Sequence, residues 1–240
     1  MSSPLDDLDQ RKVRIEKLNR IKSAGYKPFA EKYERTHYLS VANNLPIGTE
    51  NVKIAGRVMA IRKFGKLIFA TLQDYFGSMQ IGLVGKEIPE KFEEFTKFVD
   101  LGDFIGCEGH IYTTQKGEVT LKVDKWTFLS KTLLPLPEKH SGLKNIESCY
   151  RQRYLDLVMN KETLERFKKR ILLTKTIRRF LEDADFAEIE TPVLQNKASG
   201  AMATPFVTHQ KALDIDLVLR ISPETYLKRA IAGGFDRVYE

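Results

Sequence analysis

Apolar residues in the first half of the chain recur first with a helical period and then with the period of strands. The first pattern predicts a helix over residues 5–24, followed by Gly25. Its apolar stripe comprises Leu8, Ile15, Leu18 and Ile21. Five strand-like segments with turns between them come next: 52–60, 67–73, 79–84, 104–114 and 119–129. A helical patch over residues 88–99 follows the third segment, and this order is that of an OB-fold, a small β-barrel.

The second half is organised around a long amphipathic helix that leads into a strand. Its apolar positions lie three, four or six residues apart: Leu164, Phe167, Ile171, Ile177, Leu181 and Ala184. After Asp185 the period becomes two, which predicts a strand that stops at Pro192, because proline cannot donate to a strand ladder. Strand-like segments at 206–208 and 217–221 precede a last helix, with Ser222 as its N-cap and Gly233 at its end.

A proline-rich stretch separates the two halves. Residues 133–137 read Leu-Leu-Pro-Leu-Pro, which is stiff and extended, and His140-Ser141-Gly142 follows. We therefore predict a first domain over residues 1–132, a linker over 133–149 and a second domain over 150–240. The fold class is mixed α/β: an N-terminal helix and a five-stranded OB-fold barrel, then an α+β domain.

Composition narrows the classes of partner. Lys and Arg outnumber Asp and Glu by 39 to 32, a net charge of +7 that favours a polyanionic partner. The two cysteines form no C-x-x-C pair and the four histidines have no metal-ligand spacing, so no metal site is predicted. No apolar run reaches the length of a membrane span, and the polar N-terminus is not typical of a signal peptide, so we expect a cytoplasmic protein.

Several sequence motifs occur in an order that resembles a known family. The run F-x-E-I-E-T-P-x-L after the long helix resembles motif 1 of the class II aminoacyl-tRNA synthetases, with Asp185 where that family usually has glycine. YRQRYLDL and LRISPETYLKR are typical of its lysine, aspartate and asparagine subgroup. GKLIFATLQD and LPLPEKHSGL narrow the resemblance to bacterial class II lysyl-tRNA synthetases, over essentially the whole chain. It implies a catalytic domain built on an antiparallel sheet, of which this chain holds the first part.

The predicted barrel is suited to single-stranded nucleic acid. Phe69 lies mid-strand beside basic residues, and a ring there would stack on a base, contributing roughly 1–3 kcal/mol. Alternation places Leu67, Phe69 and Thr71 on one face of the strand, but it does not decide whether that face is core or surface. The resemblance implies that Phe69 stacks on the tRNA anticodon and that Arg62, Gln80 and Glu118 contact it.

The resemblance also implies residues for the amino-acid substrate and for a partner subunit. Lysine would be bound by Gly200, in a loop of small residues, and by Glu224, whose carboxylate pairs with an amino group. From the residues alone, Glu224 is equally well explained as an ordinary acid of a first helical turn. The loop reads A-S-G-A-M-A-T-P-F where the family usually has P-G-G-A-A-A-R-P-F. The expected homodimer interface comprises Phe186, Glu190 and Pro192.

The reaction implied by the resemblance is ATP-dependent attachment of lysine to tRNA-Lys through lysyl-adenylate, with Mg²⁺. The arginines and acids of the family's motifs 2 and 3 are not among these 240 residues, so no catalytic residue is assigned and the chain alone is expected to be inactive, without ATP or Mg²⁺ bound well. Two other hypotheses remain: a stand-alone RNA-binding OB-fold module without enzymatic activity, and a dimerisation partner that uses motif 1.

Overall fold

We describe the protein from a computed structural model that covers residues 4–137 and 143–240. The predicted His140-Ser141-Gly142 segment lies outside the described residues, as does the side chain of Leu8. The chain divides into two compact units, Met1–Leu155 and Asp156–Glu240. Within the expected linker, helix α4 already begins at Ile146, where Asn145 accepts a hydrogen bond from the Ser148 amide at 2.9 Å. The domain limits drawn from the sequence stay a prediction.

The first unit is a helix followed by a closed five-stranded barrel. Its elements are α1 (Pro4–Ser23), α2 (Leu39–Ala42), β1 (Val52–Phe64), β2 (Leu67–Gln73), β3 (Ser78–Val84), α3 (Pro89–Phe98), β4 (Phe104–Thr113), β5 (Val119–Ser130), α4 (Ile146–Arg151) and α5 (Arg153–Met159), the last reaching into the second unit. The strand order is β1-β2-β3-β5-β4, and β1 also pairs with β4, which closes the sheet. The predicted OB-fold architecture is confirmed.

The barrel core forms because one side of each strand is apolar. On β2, Ile68, Ala70 and Leu72 are buried, while the residues between them are only partly buried. Helix α3 contributes Phe92, Phe95 and Phe98 to the same core, as the helical patch in the sequence predicts. Helix α1 contributes Ile21 and ends in a left-handed Gly25, where the Tyr26 amide donates to the Ile21 carbonyl at 3.2 Å.

Strand β1 contains an irregularity that changes which residues face the core. Pairing with β2 is regular up to Val58, skips Met59 and resumes at Ala60, which is the pattern of a β-bulge. Before the bulge Ile54 and Val58 are buried in the core; beyond it Ile61 packs against the core and Arg62 is exposed. A strand without the extra residue would turn Arg62 inward, because a one-residue slip moves every side chain to the other face.

The second unit contains the long helix and short strands. Its elements are α6 (Lys161–Asp183), β6 (Ala187–Glu188), β7 (Leu194–Gln195), β8 (Phe206–Gln210), β9 (Ile215–Leu219), α7 (Glu224–Ala232) and β10 (Val238–Tyr239). Strands β7, β9 and β8 form an antiparallel sheet in that order. The N-cap of α7 is Pro223, one residue after the predicted Ser222, whose hydroxyl accepts from the Glu224 amide at 3.2 Å. The helix passes through Gly233 into a left-handed Gly234.

The end of α6 is confirmed and the strand after it is corrected. Asp185 has φ 60, the left-handed conformation expected from its position in the motif, and the Phe186 amide donates to the Leu181 carbonyl at 3.0 Å. The predicted strand up to Pro192 was too long: β6 has two residues, because its ladder partner among the described residues is the two-residue β10. Pro192 lies just ahead of β7.

Buried apolar side chains are confined to the first unit. Among the described residues they lie between Leu18 and Phe128, whereas the buried residues of the second unit are Asp156, Thr163 and Gln195. Helix α6 exposes a set of large apolar side chains: Ile171, Leu172, Leu173, Ile177 and Phe180. Over the part of the chain that the structure describes, no helix is long and apolar enough to cross a membrane.

Candidate nucleic-acid interface

Phe69 lies on the outer face of the barrel, which settles the choice that alternation left open. Its neighbours Ile68 and Ala70 are buried in the core, and Phe69 itself is partly exposed. Phe69 pairs with Gly82 on β3, where the lack of a side chain lets the edge of the ring lie close to the strand backbone. Phe64, from the end of β1, meets Phe69 edge-on with ring centroids 6.4 Å apart.

Arg62 joins Phe69 because of the β1 bulge. The two residues are cross-strand partners, so their side chains leave the sheet side by side on the outer face. Arg62 is exposed and donates from Nη2 to Gln80 Oε1 at 3.3 Å. Lys63 lies on the other side of the strand, with Nζ 5.6 Å from the centre of the Phe92 ring. The outer face thus combines an aromatic ring with a guanidinium.

Gln80 is held by hydrogen bonds at both ends of its amide. It is only 6% exposed, it accepts from Arg62, and its Nε2 donates to Thr120 Oγ1 at 2.9 Å. Thr120 Oγ1 in turn donates to the Glu118 carbonyl at 3.1 Å. Each amide atom retains one further hydrogen-bonding position, one acceptor and one donor. Gln80 is therefore a fixed side chain with hydrogen-bonding capacity left, rather than a freely moving surface side chain.

Glu118 reaches the same place from the β4–β5 turn. Its amide donates to Thr114 Oγ1 at 3.1 Å and its side chain is exposed. A surface hollow of about 250 Å³ is lined by Gln80 and Glu118 together with Asn43, Thr71, Ser78, Met79 and Val119. Its polar lining residues can form hydrogen bonds with the edge of a flat group such as a base. A larger hollow of about 490 Å³, beside Gly25 and Phe128, includes none of the predicted residues.

The structure thus brings all four predicted residues into one contiguous row: Phe69, Arg62, Gln80 and Glu118. The sequence reading missed Thr120, which connects Gln80 to Glu118, and Phe64, which is 62% exposed beside Phe69. Phe64 could have been found from the sequence, since an aromatic before a Gly65 turn is costly to leave exposed. Thr120 had no such signal, because its role depends on β3 pairing with β5.

Gly200 and Glu224 both lie close to Ser222, just before α7 in the second unit. Gly200 has φ 90, and a Cβ built on it would lie 3.1 Å from Ser222 Cβ, so the small-residue loop packs against the start of α7. Two residues further on, the Glu224 carboxylate pairs with Lys228 Nζ at 2.6 Å. One carboxylate oxygen, Oε1, thus already binds an ammonium group, and the half-exposed carboxylate has further acceptor positions. Met202 in the altered loop is fully exposed.

The expected interface residues lie around a polar cluster. Phe186 is half-buried, whereas Glu190 and Pro192 are exposed. Between the latter two, Thr191 donates to Glu240 Oε2 at 2.7 Å, and Arg220 holds the same carboxylate with both Nη atoms at 2.6 and 2.7 Å. These hydrogen bonds from Arg220 and Thr191 lower the pKa of Glu240 to about 2. The cluster ties β9 to the segment after β6.

Two protein families match the chain. Residues 52–129 match the OB-fold nucleic acid binding domain, and residues 145–240 match the class II tRNA synthetases of the D, K and N group. Residues 145–240 are thus similar to the class II tRNA synthetases of that group, and the matched OB-fold domain precedes this segment.

Within that class, the chain is similar to lysine–tRNA ligases. It is 46% identical to the lysine–tRNA ligase of Latilactobacillus sakei subsp. sakei (strain 23K), over 97% of this chain and 48% of that protein. It is 45% identical to that of Syntrophomonas wolfei subsp. wolfei, over 99% and 49%. For Synechococcus sp. (strain CC9311) the identity is 44%, over 96% and 48%. The chain spans about half the length of these curated relatives.

Proposed function

We propose that this chain is the N-terminal portion of a lysine–tRNA ligase and that the row Phe69–Arg62–Gln80–Glu118 reads the anticodon of tRNA-Lys. The observation that carries the proposal is the contiguity of these side chains on an OB-fold face, with Gln80 fixed between Arg62 and Thr120. The similarity to proteins named lysine–tRNA ligase supports the choice of amino acid.

The chemistry of the row suits uridine. Phe69 offers a π-face for one unstacked base, and Arg62 adds positive charge beside it for the phosphate backbone. Gln80 has one acceptor and one donor position left, which match the N3–H donor and a carbonyl acceptor of a uracil edge. Glu118 adds acceptor oxygens at the far side of the hollow, where they favour N–H and O–H groups and repel phosphates.

A binding titration tests this proposal. The chain is titrated with a lysine-tRNA anticodon stem-loop and with one whose middle uridine is replaced, at two salt concentrations, since phosphate contacts alone give a steep but sequence-blind slope. We expect preference for the uridine loop and its loss in Phe69→Ala. Phe29→Ala is the matched control, because Phe29 is also partly exposed but lies beside Ser130 at the end of β5. Equal binding of both loops would instead favour a generic RNA-binding module.

We propose further that Gly200 and Glu224 bind the lysine substrate. The close approach of the Gly200 loop to Ser222 and the pairing of Glu224 with an ammonium group support this assignment. Glu224 binds the substrate amine through its carboxylate, and the glycine lets the backbone approach the ligand. In the full-length protein, Glu224→Gln is expected to raise the KM for lysine; an unchanged KM would contradict the assignment.

ATP and Mg²⁺ are proposed as ligands of the full-length protein. Among the described residues no group of three or more His, Cys, Asp or Glu is placed to hold a metal. We expect that the purified 240-residue polypeptide shows no lysine-dependent ATP–pyrophosphate exchange. Measurable exchange would contradict this.

We also propose that the protein forms a homodimer through α6 and the segment that contains Phe186, Glu190 and Pro192. The exposed apolar side chains of α6 support a covered surface there. A cytoplasmic location is proposed because tRNA is aminoacylated where it is used in translation.

A further inference from the structure

Tyr112 lies on the same outer face of the barrel as Phe69 and approaches it from the direction of β4. It lies on β4, opposite Thr120 of β5, and its side chain leans across β5 towards Gly82 of β3. A Cβ built on Gly82 would lie 2.8 Å from Tyr112 Oη and 3.4 Å from Phe69 Cε1. Since the sheet order is β2-β3-β5-β4, Phe69 and Tyr112 flank the bare Gly82 backbone from opposite directions.

The Tyr112 hydroxyl is available to a ligand. Within residues 4–137 and 143–240 it has no hydrogen-bond partner, although the side chain is partly buried. Burial, and secondarily the charge of Glu87, raises the pKa of Tyr112, so the phenol is protonated at neutral pH and can donate. A neutral phenol also accepts a hydrogen bond, which makes it compatible with either a base edge or a ribose hydroxyl.

Gly82 leaves room for three side chains that meet above its backbone. A side chain at this position would have to displace the Tyr112 hydroxyl, since a Cβ atom 2.8 Å from an oxygen atom would overlap with it. The Thr120 methyl, 3.4 Å from the same point, forms the remaining edge. The edge of the Phe69 ring and the Tyr112 hydroxyl thus lie side by side above Gly82 on the outer face of the barrel.

We propose that Tyr112 contacts the nucleotide whose base stacks on Phe69, its hydroxyl bonding a polar atom of that same nucleotide above Gly82. The proposal rests on the anticodon-reading function proposed for this face, and it adds a residue outside the predicted set. The ligand class is a single-stranded ribonucleotide. Stacking on Phe69 holds the base in place for its neighbours to contact, and a hydroxyl contact adds an element of selectivity.

The test measures binding of the lysine-tRNA anticodon stem-loop to Tyr112→Phe, which removes only the hydroxyl. Binding is expected to weaken roughly three- to tenfold, the range of one hydrogen bond, with an unchanged unfolding midpoint. Tyr38→Phe is the matched control, because Tyr38 stacks on Phe76 and Arg35 instead of facing Gly82. Unchanged affinity in Tyr112→Phe would overturn the proposal.

A double-variant cycle separates this inference from the function on which it rests. If the two side chains hold one nucleotide, Tyr112→Phe should cost much less in a Phe69→Ala background than alone. Additive losses would place Tyr112 on a different nucleotide and overturn the proposal. If Phe69→Ala itself leaves uridine preference intact, the anticodon function fails, whatever Tyr112 does. If only Tyr112→Phe is silent, the inference alone fails.

Discussion

At the scale of single residues, Gly200 meets two separate requirements: a left-handed backbone conformation and close packing against Ser222. Its φ of 90 is unfavourable for any residue with a side chain, and a Cβ would lie 3.1 Å from Ser222 Cβ and 3.3 Å from the Ser222 carbonyl. Gly200→Ala is therefore expected to lower the free energy of unfolding by roughly 1–2 kcal/mol from the backbone alone, with the contact adding to it. Urea denaturation measures the loss.

Gly234→Ala separates the two requirements. Gly234 has φ 108 but nothing within 4 Å of its Cβ position, so its substitution carries the backbone cost without the contact. Gly200→Ala should therefore be the more destabilising of the two, and hydrogen exchange should locate the extra loss in residues 196–204. Equal losses for both variants would mean that the small-residue loop does not press against α7.

Phe69 and Arg62 show where prediction from the sequence stops at this scale. Alternation along β2 defines two faces, but both carry apolar residues, and only packing against Ile54 and Phe95 decides which is inside. For Arg62, alternation along β1 predicts the wrong face, because the bulge at Met59 reverses which residues point inward. The hydrogen bond between Arg62 and Gln80 requires three strands in register, which a single sequence does not specify.

At the scale of elements, the end of α6 offers a stabilising substitution. Asp185 has φ 60, a conformation that glycine adopts without steric cost. Asp185→Gly should raise the free energy of unfolding by about 0.5–1 kcal/mol, because the hydrogen bonds of the helix end come from the backbone and are retained. Thermal and urea unfolding measure the change.

A replacement by glycine inside α6 should change the free energy of unfolding in the opposite direction. Lys175 is exposed mid-helix, and Lys175→Gly should lower stability by about 1 kcal/mol, since glycine loses more backbone freedom there. If Asp185→Gly also destabilises the protein, the aspartate side chain contributes something at the helix end that its conformation does not explain.

Elements were predictable where the signal is local. The five barrel strands, α3 and the left-handed residue after α6 follow from period, turn chemistry and motif position. The length of the strand after Asp185 was not predictable. Alternation from Phe186 to Val193 indicates which residues suit a strand, but it does not indicate how many residues of another strand are available to pair with them. Here the ladder with Val238 and Tyr239 pairs only two residues, Ala187 and Glu188.

At the scale of the first unit, a buried lysine connects several elements. Lys131 is inaccessible and donates to the Phe98 carbonyl at 3.1 Å, to Asp100 at 2.6 Å and to Asp103 at 2.7 Å. Lys17 of α1 binds Asp100 as well, so the network joins α1 to the ends of α3 and β5. Lys131→Met should lower the free energy of unfolding by roughly 3–5 kcal/mol, because Asp103 is left buried without its cation.

Two variants and a pH series check this interpretation. Lys125→Met, at an exposed position of β5, should change stability by no more than about 0.5 kcal/mol, and Asp103→Asn should recover part of the Lys131→Met loss.

Burial already raises the pKa of Asp103 and the charge of Lys131 opposes that rise, so without the lysine the pKa of Asp103 should be higher still. The Lys131→Met loss should therefore shrink as pH falls towards the unfolded value of about 4, because the native state then takes up the proton first. A pH-independent loss would contradict the assignment.

At the scale of the whole molecule, the two units differ in how they bury apolar surface. The described core lies between Leu18 and Phe128, whereas α6 leaves Leu172, Leu173 and Phe180 at least 60% exposed. A helix this apolar on its surface requires a cover, and the proposed cover is the same helix of a second subunit. Phe180→Asp should then weaken self-association, because a carboxylate in a desolvated contact is strongly unfavourable.

Sedimentation velocity over a range of concentrations measures that change. The wild-type chain should show a concentration-dependent dimer and Phe180→Asp a monomer at the same concentrations. Thr174→Asp introduces the same charge on an exposed position of α6, six residues away and hence about 120° around the helix from Phe180. It should therefore retain the dimer. If the wild type is monomeric throughout, or if both variants dissociate alike, the apolar side of α6 is not the surface that joins two copies.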